Sequence, residues 1–322
     1  MPTAPAFPRI VRISLPTPFP VGPVNAYLLP DPPVTLVDAG PKTEEAGVTL
    51  RRGIAEAGVP LASLRRIILT HGHLDHFGGA AGLATETGAE VYAHPDDGPK
   101  FSGFLAIAGL LPALLQRHGV PDPLIPAVVD AYTSGRRLAD PLPSFHPLMG
   151  GDRIEAGGVE WEILHTPGHA AGHICLRRGD FLIAGDVLLE EITPNPLVEY
   201  GDDGTRIPTL PLLLTSLHRL GALNPAEIFP GHGAPFGPAA PRVEQMLAHQ
   251  AQRQEEVAAL LTSAPRNAFE LANALFPGAE LLNLVLAMSE ILGQLDVLVA
   301  ERLAVEEPLP GERTGYRRPT AS

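Results

Sequence analysis

The chain has 322 residues, 45% of them hydrophobic, so it is long enough for one large domain or for a large and a small one. Its formal net charge is −13, and such an acidic surface argues against nucleic acid and anionic membranes as partners. The single cysteine, Cys175, excludes an intrachain disulfide, and its apolar neighbours predict a buried strand residue. Because the N-terminus lacks a signal-peptide pattern and no uninterrupted apolar run is long enough to span a membrane, we expect a cytoplasmic protein.

Apolar runs bounded by turn residues predict a series of β-strands with helices between them. The predicted strands lie at 9–15, 24–29, 34–38, 64–70, 90–93, 159–164, 174–177, 181–186 and 227–230. The predicted helices of this part lie at 43–57 and 78–87, and each is stopped by a glycine. Strands that alternate with helices are typical of an α/β fold.

The stretch 70–79, Thr-His-Gly-His-Leu-Asp-His-Phe-Gly-Gly, places His71, His73, Asp75 and His76 within six residues. It lies between a predicted strand and a predicted helix, where open α/β sheets tend to place their chemistry. Neutral imidazole and carboxylate are the usual ligands of zinc and similar divalent ions. The alternative is a solvated, histidine-rich turn, but the position of the stretch favours a metal site.

Four predicted strands end in a potential metal ligand, at Asp38, His71, Asp186 and His232. One such strand end would mean little, because Asp38 alone could equally cap the next helix. Four of them predict a shared site along one rim of a sheet. His94, which also follows a strand, is interpreted as a structural or pocket-lining residue.

Residues 95–150 interrupt the alternation of strands and helices, and their segment 101–115 is almost wholly apolar. We interpret them as an inserted helical cap, with a second helix near 124–132. Two interpretations of the cap stay open. It either packs into a core or a dimer interface, or it forms an apolar wall over the active site, since ligand pockets are mostly apolar.

The region 241–305 shows helical periodicity over 242–261, 268–276 and 281–302. One interpretation is a packing or dimerisation module, which predicts a homodimer. A nucleic-acid module would need a basic recognition helix, and the acidic residues of the last helix argue against one. Residues 306–322 are rich in Pro, Gly and Arg and are predicted to be disordered.

The order of the singled-out residues resembles the metallo-β-lactamase-fold hydrolase superfamily over roughly residues 9–240. The motif residues are Asp38, His71, His73, Asp75, His76, His169, Asp186 and His232. The resemblance implies an α/β fold in which two mixed sheets lie face to face with helices outside, a four-layer αββα sandwich. It places a catalytic domain at 1–240 and a smaller helical domain at 241–305, similar to the winged-helix-like domain of a glyoxalase-II-like and thioesterase-like branch.

The resemblance also implies two divalent metal ions, with zinc favoured and iron or manganese as alternatives. The implied ligands are His71, His73 and His169 for one ion, Asp75, His76 and His232 for the other, and Asp186 as the bridge. Asp38 resembles the family's carboxylate that orients the ligand loop from behind. His173 resembles a histidine that forms hydrogen bonds and does not bind metal, and His165 is left structural.

The implied chemistry is hydrolysis by a hydroxide shared between two metals, with Asp75 and Asp186 as catalytic residues. Asp75 would also move a proton to the leaving group. His73 stands where the redox di-iron branch carries glutamate, which favours hydrolysis. A small-molecule substrate with an ester-like bond, above all a thioester, suits the apolar cap. Asn195 and Tyr200 are candidate substrate-binding residues.

Three alternatives to a thioesterase stay open. A lactonase is weakened by Leu189, because lactonases of this fold typically carry a tyrosine three residues after the bridging aspartate. A metal-dependent ribonuclease or phosphodiesterase is favoured by the C-terminal region and opposed by the acidic charge. A non-enzymatic metal-binding scaffold would not need the complete ligand set.

Overall fold

A computed structural model of the chain describes residues 7–102, 105–201 and 203–320. The strands are β1 Val11–Leu15, β2 Val24–Leu29, β3 Thr35–Val37, β4 Arg66–Ile68, β5 Glu90–Ala93, β6 His146–Pro147, β7 Arg153–Ala156, β8 Val159–His165, β9 Ile174–Arg178, β10 Phe181–Gly185, β11 Glu199–Tyr200, β12 Arg206–Ile207, β13 Glu227–Pro230, β14 Val305–Leu309 and β15 Arg313–Arg317. The helices are α1 Glu44–Glu56, α2 Leu74–Phe77, α3 Ala80–Thr87, α4 Gly98–Ser102, α5 Leu105–Arg117, α6 Ile125–Thr133, α7 Thr209–Leu223, α8 Ala239–Leu260, α9 Ala268–Leu275 and α10 Leu281–Ala300.

Two mixed sheets form the centre of the molecule. The first has the order β1-β2-β3-β4-β5-β6, and the second has the order β13-β10-β9-β8-β7. Strands β3, β4 and β5 pair in parallel, as do β10 and β13, whereas the other pairs of β1 to β3 and of β7 to β10 are antiparallel. Parallel neighbours need crossover connections, which α1, the α2–α3 segment and α7 supply.

The alternation of side chains along the strands builds three apolar layers. Trp161 and Ile163 of β8 point inward and belong to the core between the sheets. Helix α1 covers the first sheet from outside, with Ile54 in that core. Helices α7 and α8 cover the second sheet, with Leu213 and Met246 in theirs. The four-layer αββα sandwich predicted from the sequence is therefore confirmed.

The inserted segment shares an apolar core with the C-terminal helices. Leu115 of α5 and Val128 of α6 are fully buried there, together with Leu271 of α9 and Ile291 of α10. These side chains of the insertion therefore pack into a core, as the first of the two interpretations of the insertion expects. The division of the chain into domains stays a prediction.

The predicted disorder of 306–322 is wrong for residues 306–317. Strands β14 and β15 pair as an antiparallel hairpin, and Arg266 exchanges two backbone hydrogen bonds with Tyr316, at 2.9 and 2.8 Å. Composition suggested too little apolar surface to order this segment, but Tyr316 is buried in the core shared with the insertion. Residues 321–322 of the predicted tail lie outside the described residues.

Helix α10 is apolar enough to resemble a membrane span. Its window Asn283–Ala300 has a mean hydropathy of 1.5, and 67% of that window is buried inside the protein. A helix buried in a protein core can be as long and as apolar as a membrane span, and extensive burial of this kind is typical of such a core helix.

The core shared by the insertion and the C-terminal helices can be tested at Leu292, which is fully buried on α10. We expect Leu292→Ala to lower the free energy of unfolding by about 2–5 kcal/mol, because it removes buried apolar contacts and leaves a cavity. The control is Leu286→Ala on the same helix, where the side chain is 39% exposed and a change within about 1 kcal/mol is expected. Urea denaturation followed by the fluorescence of Trp161 measures both. Equal losses would contradict the described packing.

Candidate metal centre

The predicted ligands meet at one rim of the paired sheets. His71 follows β4, Asp186 follows β10 and His232 follows β13, each within a few residues of the strand end. Helix α2 contributes Asp75 and His76 from its single turn. The loop between β8 and β9 contributes His169. The shared rim site expected from the strand ends is therefore what the structure shows.

The described side chains form four groups in which the potential ligand atoms all lie within 4.8 Å of one another. Two of these groups are His94 with Asp96 and His165, and His71 with His76 and Asp186. The other two are His71 with His73 and His169, and Asp75 with His76 and His232. The membership of these last two groups matches the two ligand sets that the resemblance implied. Asp186 lies between them, because its carboxylate oxygens are 3.4 Å from His76 Nε2, 3.6 Å from His169 Nε2 and 3.5 Å from His232 Nε2.

Asp38 supports His71 and His76 from behind. Its Oδ1 accepts the backbone N–H of Thr70 at 2.8 Å, and its Oδ2 accepts the Thr70 hydroxyl and His76 Nδ1, each at 2.8 Å. Because the Thr70 proton is given to Asp38, the hydroxyl oxygen accepts from His71 Nδ1 at 3.0 Å. Both rings therefore donate from Nδ1 and turn Nε2 towards the centre, where it could bind a metal.

Backbone carbonyls hold two further rings in the same way. His169 Nδ1 donates to the carbonyl of Asn195 at 3.2 Å, and His232 Nδ1 donates to the carbonyl of Pro23 at 2.9 Å. His73 is turned the other way, since its Nδ1 lies 2.9 Å from His71 Nε2. The ring atoms that converge are thus Nε2 of four histidines and Nδ1 of His73.

His173 is not one of the converging rings. Its Nε2 accepts the backbone N–H of Asp186 at 3.1 Å, and its Nδ1 is paired with the hydroxyl of Thr166 at 2.9 Å. Burial lowers the pKa of His173 to about 3, so the ring is neutral and can act as this acceptor. His173 therefore positions Asp186, in line with the expectation that it forms hydrogen bonds.

Several buried atoms at the centre lack hydrogen-bond partners in the part of the chain that the structure describes. These atoms are His76 Nε2, His169 Nε2 and Asp186 Oδ1. A buried polar atom without a partner is costly, and each such atom calls for an explanation. A divalent cation accepts lone pairs from imidazole and carboxylate alike, so the residues present fit a metal site.

Burial and the neighbouring charges set the ionisation of the centre. Burial lowers the pKa of His71 and of His73 well below the ordinary value, so both rings are neutral. Burial acts to raise the pKa of Asp186, but His76 and His232 outweigh it and hold that pKa well below its ordinary value. Burial lowers the pKa of His232, yet Asp186 and Asp75 outweigh it and raise the value to about 9.

The two candidate substrate residues lie in different places. Asn195 lies beside the centre through its backbone contact with His169, and its side-chain Nδ2 donates to the carbonyl of Leu286 on α10 at 3.0 Å. Tyr200 is half-buried in β11 and lines a cavity of about 490 Å³ next to His118. The structure thus brings Asn195 to the ligands and does not bring Tyr200 there, while the substrate-binding role of both stays a prediction.

Three buried charged residues beside the centre were not predicted from the sequence. They are Asp97, Lys100 and Glu199, and each is at most 4% exposed. Asp97 follows the end of β5 by four residues, so the strand-end argument could have found it. Nothing in the local sequence indicates that Glu199, about a hundred residues away, joins it.

Comparison with known proteins agrees with this geometry. The sequence model of the metallo-beta-lactamase superfamily matches residues 19–232, which is more than half of the chain. The chain belongs to this superfamily. It is 35% identical over 306 residues to the "Probable metallo-hydrolase YqjP" of Bacillus subtilis, covering 91% of this chain and 92% of that protein. The crystal structure of the metallo-beta-lactamase family protein TTHA1429 from Thermus thermophilus superposes with a TM-score of 0.82 at 30% identity, covering 96% of this chain and 98% of that one.

The superfamily and the metal-dependent hydrolase class predicted from the sequence are thereby confirmed. A shorter match is to the "Hydroxyacylglutathione hydrolase GloC" of Haemophilus influenzae, which is 30% identical over 174 residues. That match covers 53% of this chain and 70% of that protein.

The role of Asp38 can be isolated with Asp38→Asn. Asp38 has φ of 60°, a conformation that asparagine also tolerates, so the change removes the charge and keeps the backbone. We expect metal affinity to fall about 10- to 100-fold, because the carboxylate no longer orients His76. Competition with a chelator measures the affinity, and Asp140→Asn in an exposed ion pair is the matched control. Unchanged affinity would contradict this role.

The raised pKa of His232 predicts proton release on metal binding. Because that pKa is about 9 in the metal-free protein, the ring is protonated at pH 7 and must lose its proton to bind a cation. We expect more protons to be released per ion at pH 7 than at pH 10, and weaker metal binding as the pH falls below about 9. Titration of Zn²⁺ into weakly buffered apoprotein with a pH indicator measures the release. Equal release at both pH values would contradict the protonated ring.

Proposed function

We propose that the chain is a dinuclear metal-dependent hydrolase that cleaves small acyl thioesters. The convergence of buried, unpartnered atoms of His76, His169 and Asp186 among the described residues carries the metal part of this proposal. His71, His73 and His169 would hold one ion, Asp75, His76 and His232 the other, and Asp186 would contact both. Zinc suits this set best, with iron or manganese as alternatives.

Two divalent ions at such a site, when bound, activate water as a nucleophile and polarise a substrate carbonyl. Asp75 is suited to hold and move a proton, because it lies in the group that contains His232, 3.3 Å from its Nε2, and keeps slight contact with solvent. It would take the proton of the attacking water and pass it to the leaving thiolate. Asp186, held by His173 from behind, would keep its carboxylate aimed at both groups.

A cavity between Asn195 and α10 supports a neutral or apolar acyl group as substrate. It has a volume of about 600 Å³, and of the described residues that line it, Asn195 is the one that contacts a candidate metal ligand, through its backbone carbonyl and His169. Phe276 and Leu286 contribute apolar surface, and Glu280 contributes an exposed carboxylate. A strongly anionic ligand would be repelled at this mouth, which disfavours a polynucleotide.

The name of the Haemophilus influenzae relative supports a thioester, because hydroxyacylglutathione is one. The acidic cavity mouth favours a thioester of a neutral thiol over one of glutathione. A small-molecule substrate, a cytoplasmic location and a homodimer belong to the same proposal.

The test is thiol release from neutral acyl-thioesters of increasing chain length and from a glutathione thioester, with Zn²⁺-loaded protein. We expect release from the neutral series, and its fall to background in Asp186→Asn, which loses the central carboxylate. Asp140→Asn is the control that should keep full activity, because its side chain takes part in an exposed ion pair with Lys42. Absence of release from metal-loaded protein would reject the thioesterase, and lactones and RNA would be assayed next.

The cavity is tested separately by Glu280→Lys. We expect kcat/KM for the anionic glutathione thioester to rise by up to roughly 30-fold relative to the neutral series. Two unit charges near 4 Å in water interact by about 1 kcal/mol, and the change replaces a repulsion of that size with an attraction. An unchanged ratio would show that substrate does not enter beside α10.

A further inference from the structure

A buried cluster of opposite charges joins the start of the inserted segment to Glu199 beside the metal centre. Lys100 Nζ is 2.8 Å from Asp97 Oδ1 and 2.7 Å from Glu199 Oε1. All three side chains are at most 4% exposed. Buried ion pairs seldom add stability over apolar packing, because the cost of desolvation offsets their attraction. A role other than stability is therefore worth seeking for this cluster.

The cluster binds the backbone of two metal-ligand loops. Asp97 Oδ2 accepts the N–H of Gly72 at 2.6 Å, and Asp97 Oδ1 accepts the N–H of Gly172 at 2.9 Å. The carboxylate of Glu199 accepts the N–H of Ala171. Gly72 lies between His71 and His73, whereas Ala171 and Gly172 follow His169 closely along the chain.

Both glycines are in close contact with the cluster. A Cβ atom at Gly72 would lie 2.8 Å from Lys100 Cδ, and one at Gly172 would lie 2.7 Å from the backbone nitrogen of Asp97. Such distances leave no room for a side chain, so the two loops can approach the cluster only because both positions are glycine.

The contacts of the cluster with metal-ligand loops fall on one ligand group. His71 and His73 flank Gly72, and His169 lies in the loop of Gly172, whereas Asp75 and His76 follow on the same stretch as Gly72 but within α2. Among the described residues, the second group is held by Asp38 and by the carbonyl of Pro23, neither of which is part of the cluster. Asp38 also reaches His71 of the first group through the Thr70 hydroxyl, so Asp38 serves both groups, whereas the hydrogen bonds of the cluster go to the loops of the first group.

We propose that Asp97, Lys100 and Glu199 are positioning residues that preorganise the His71–His73–His169 half of the metal centre. The inference rests on the proposed metal site. Lys100 brings the two carboxylates together, and they fix the spacing of the loops that carry the three histidines. Because Asp97 and Lys100 belong to the start of the insertion, the insertion is fastened to this half of the centre.

The test measures Co²⁺ affinity and the Co²⁺ absorption spectrum, and it needs no substrate. Asp97→Asn is made in two backgrounds. The first is His232→Ala, which removes a ligand of the second group, and the other is His73→Ala, which removes a ligand of the first group. We expect Asp97→Asn to weaken Co²⁺ binding about 10- to 100-fold in His232→Ala and to leave it within about threefold in His73→Ala. Asp140→Asn in the same backgrounds is the control, because it removes an exposed carboxylate of the insertion.

Equal weakening in both backgrounds, or weakening in neither, would overturn the inference. Circular dichroism of the apoproteins checks folding. If Asp97→Asn does not fold, Glu199→Gln, in which the side chain has the same shape, is compared in the same two backgrounds. Wild-type protein that binds fewer than two ions would reject the dinuclear site, whereas the paired backgrounds would still decide which half the cluster supports.

Discussion

The main constraint on this structure is the convergence of buried imidazole nitrogens and carboxylate oxygens at the candidate metal centre. His76 Nε2, His169 Nε2 and Asp186 Oδ1 are buried and have no hydrogen-bond partner among the described residues. Without a cation, such an arrangement is unfavourable, since buried polar atoms normally find partners. The rest of the fold must therefore supply the free energy that keeps these side chains in place.

Support comes from behind each ring. The Nδ1 protons of His76 and His232 are given to the carboxylate of Asp38 and to a backbone carbonyl, so rotation of either ring would break a buried hydrogen bond. Close backbone approach adds to this constraint. A Cβ atom at Gly231 would lie 2.0 Å from Asp186 Oδ1, so the loop after β13 reaches the centre only because that residue is glycine.

Local patterns were sufficient to predict most strands of the two main sheets, though not β6 and β7, and to single out the residues that meet at the candidate centre. The bounds of β2 and β5 match the predicted ranges 24–29 and 90–93, because short apolar runs flanked by turn residues carry that signal. The ligand histidines were found from their spacing and from the family resemblance, and the strand ends at Asp38 and Asp186 placed the site on one rim. These features depend on residues that are close together in the chain or on one repeated rule.

Long-range features could not be predicted in the same way. Helix α7 is absent from the predicted elements, although its apolar face covers the second sheet, and the β14–β15 hairpin falls largely in a segment predicted to be disordered. The contact of Asp97 with Gly172 joins residues 75 positions apart, and no local pattern marks it. Ring tautomers likewise follow from partners such as Asn195 that only the fold brings near.

The insertion and the C-terminal region are linked to the centre through different contacts. Asn195 accepts from His169 through its backbone and donates to Leu286 through its side chain, so α10 is one residue removed from a metal ligand. Lys100 makes the corresponding link from the insertion. Because α5, α6 and α10 share one apolar core, the insertion and the C-terminal helices pack as one unit. The cavity beside α10 is joined to the candidate ligand His169 through Asn195, which lines that cavity and accepts the His169 proton.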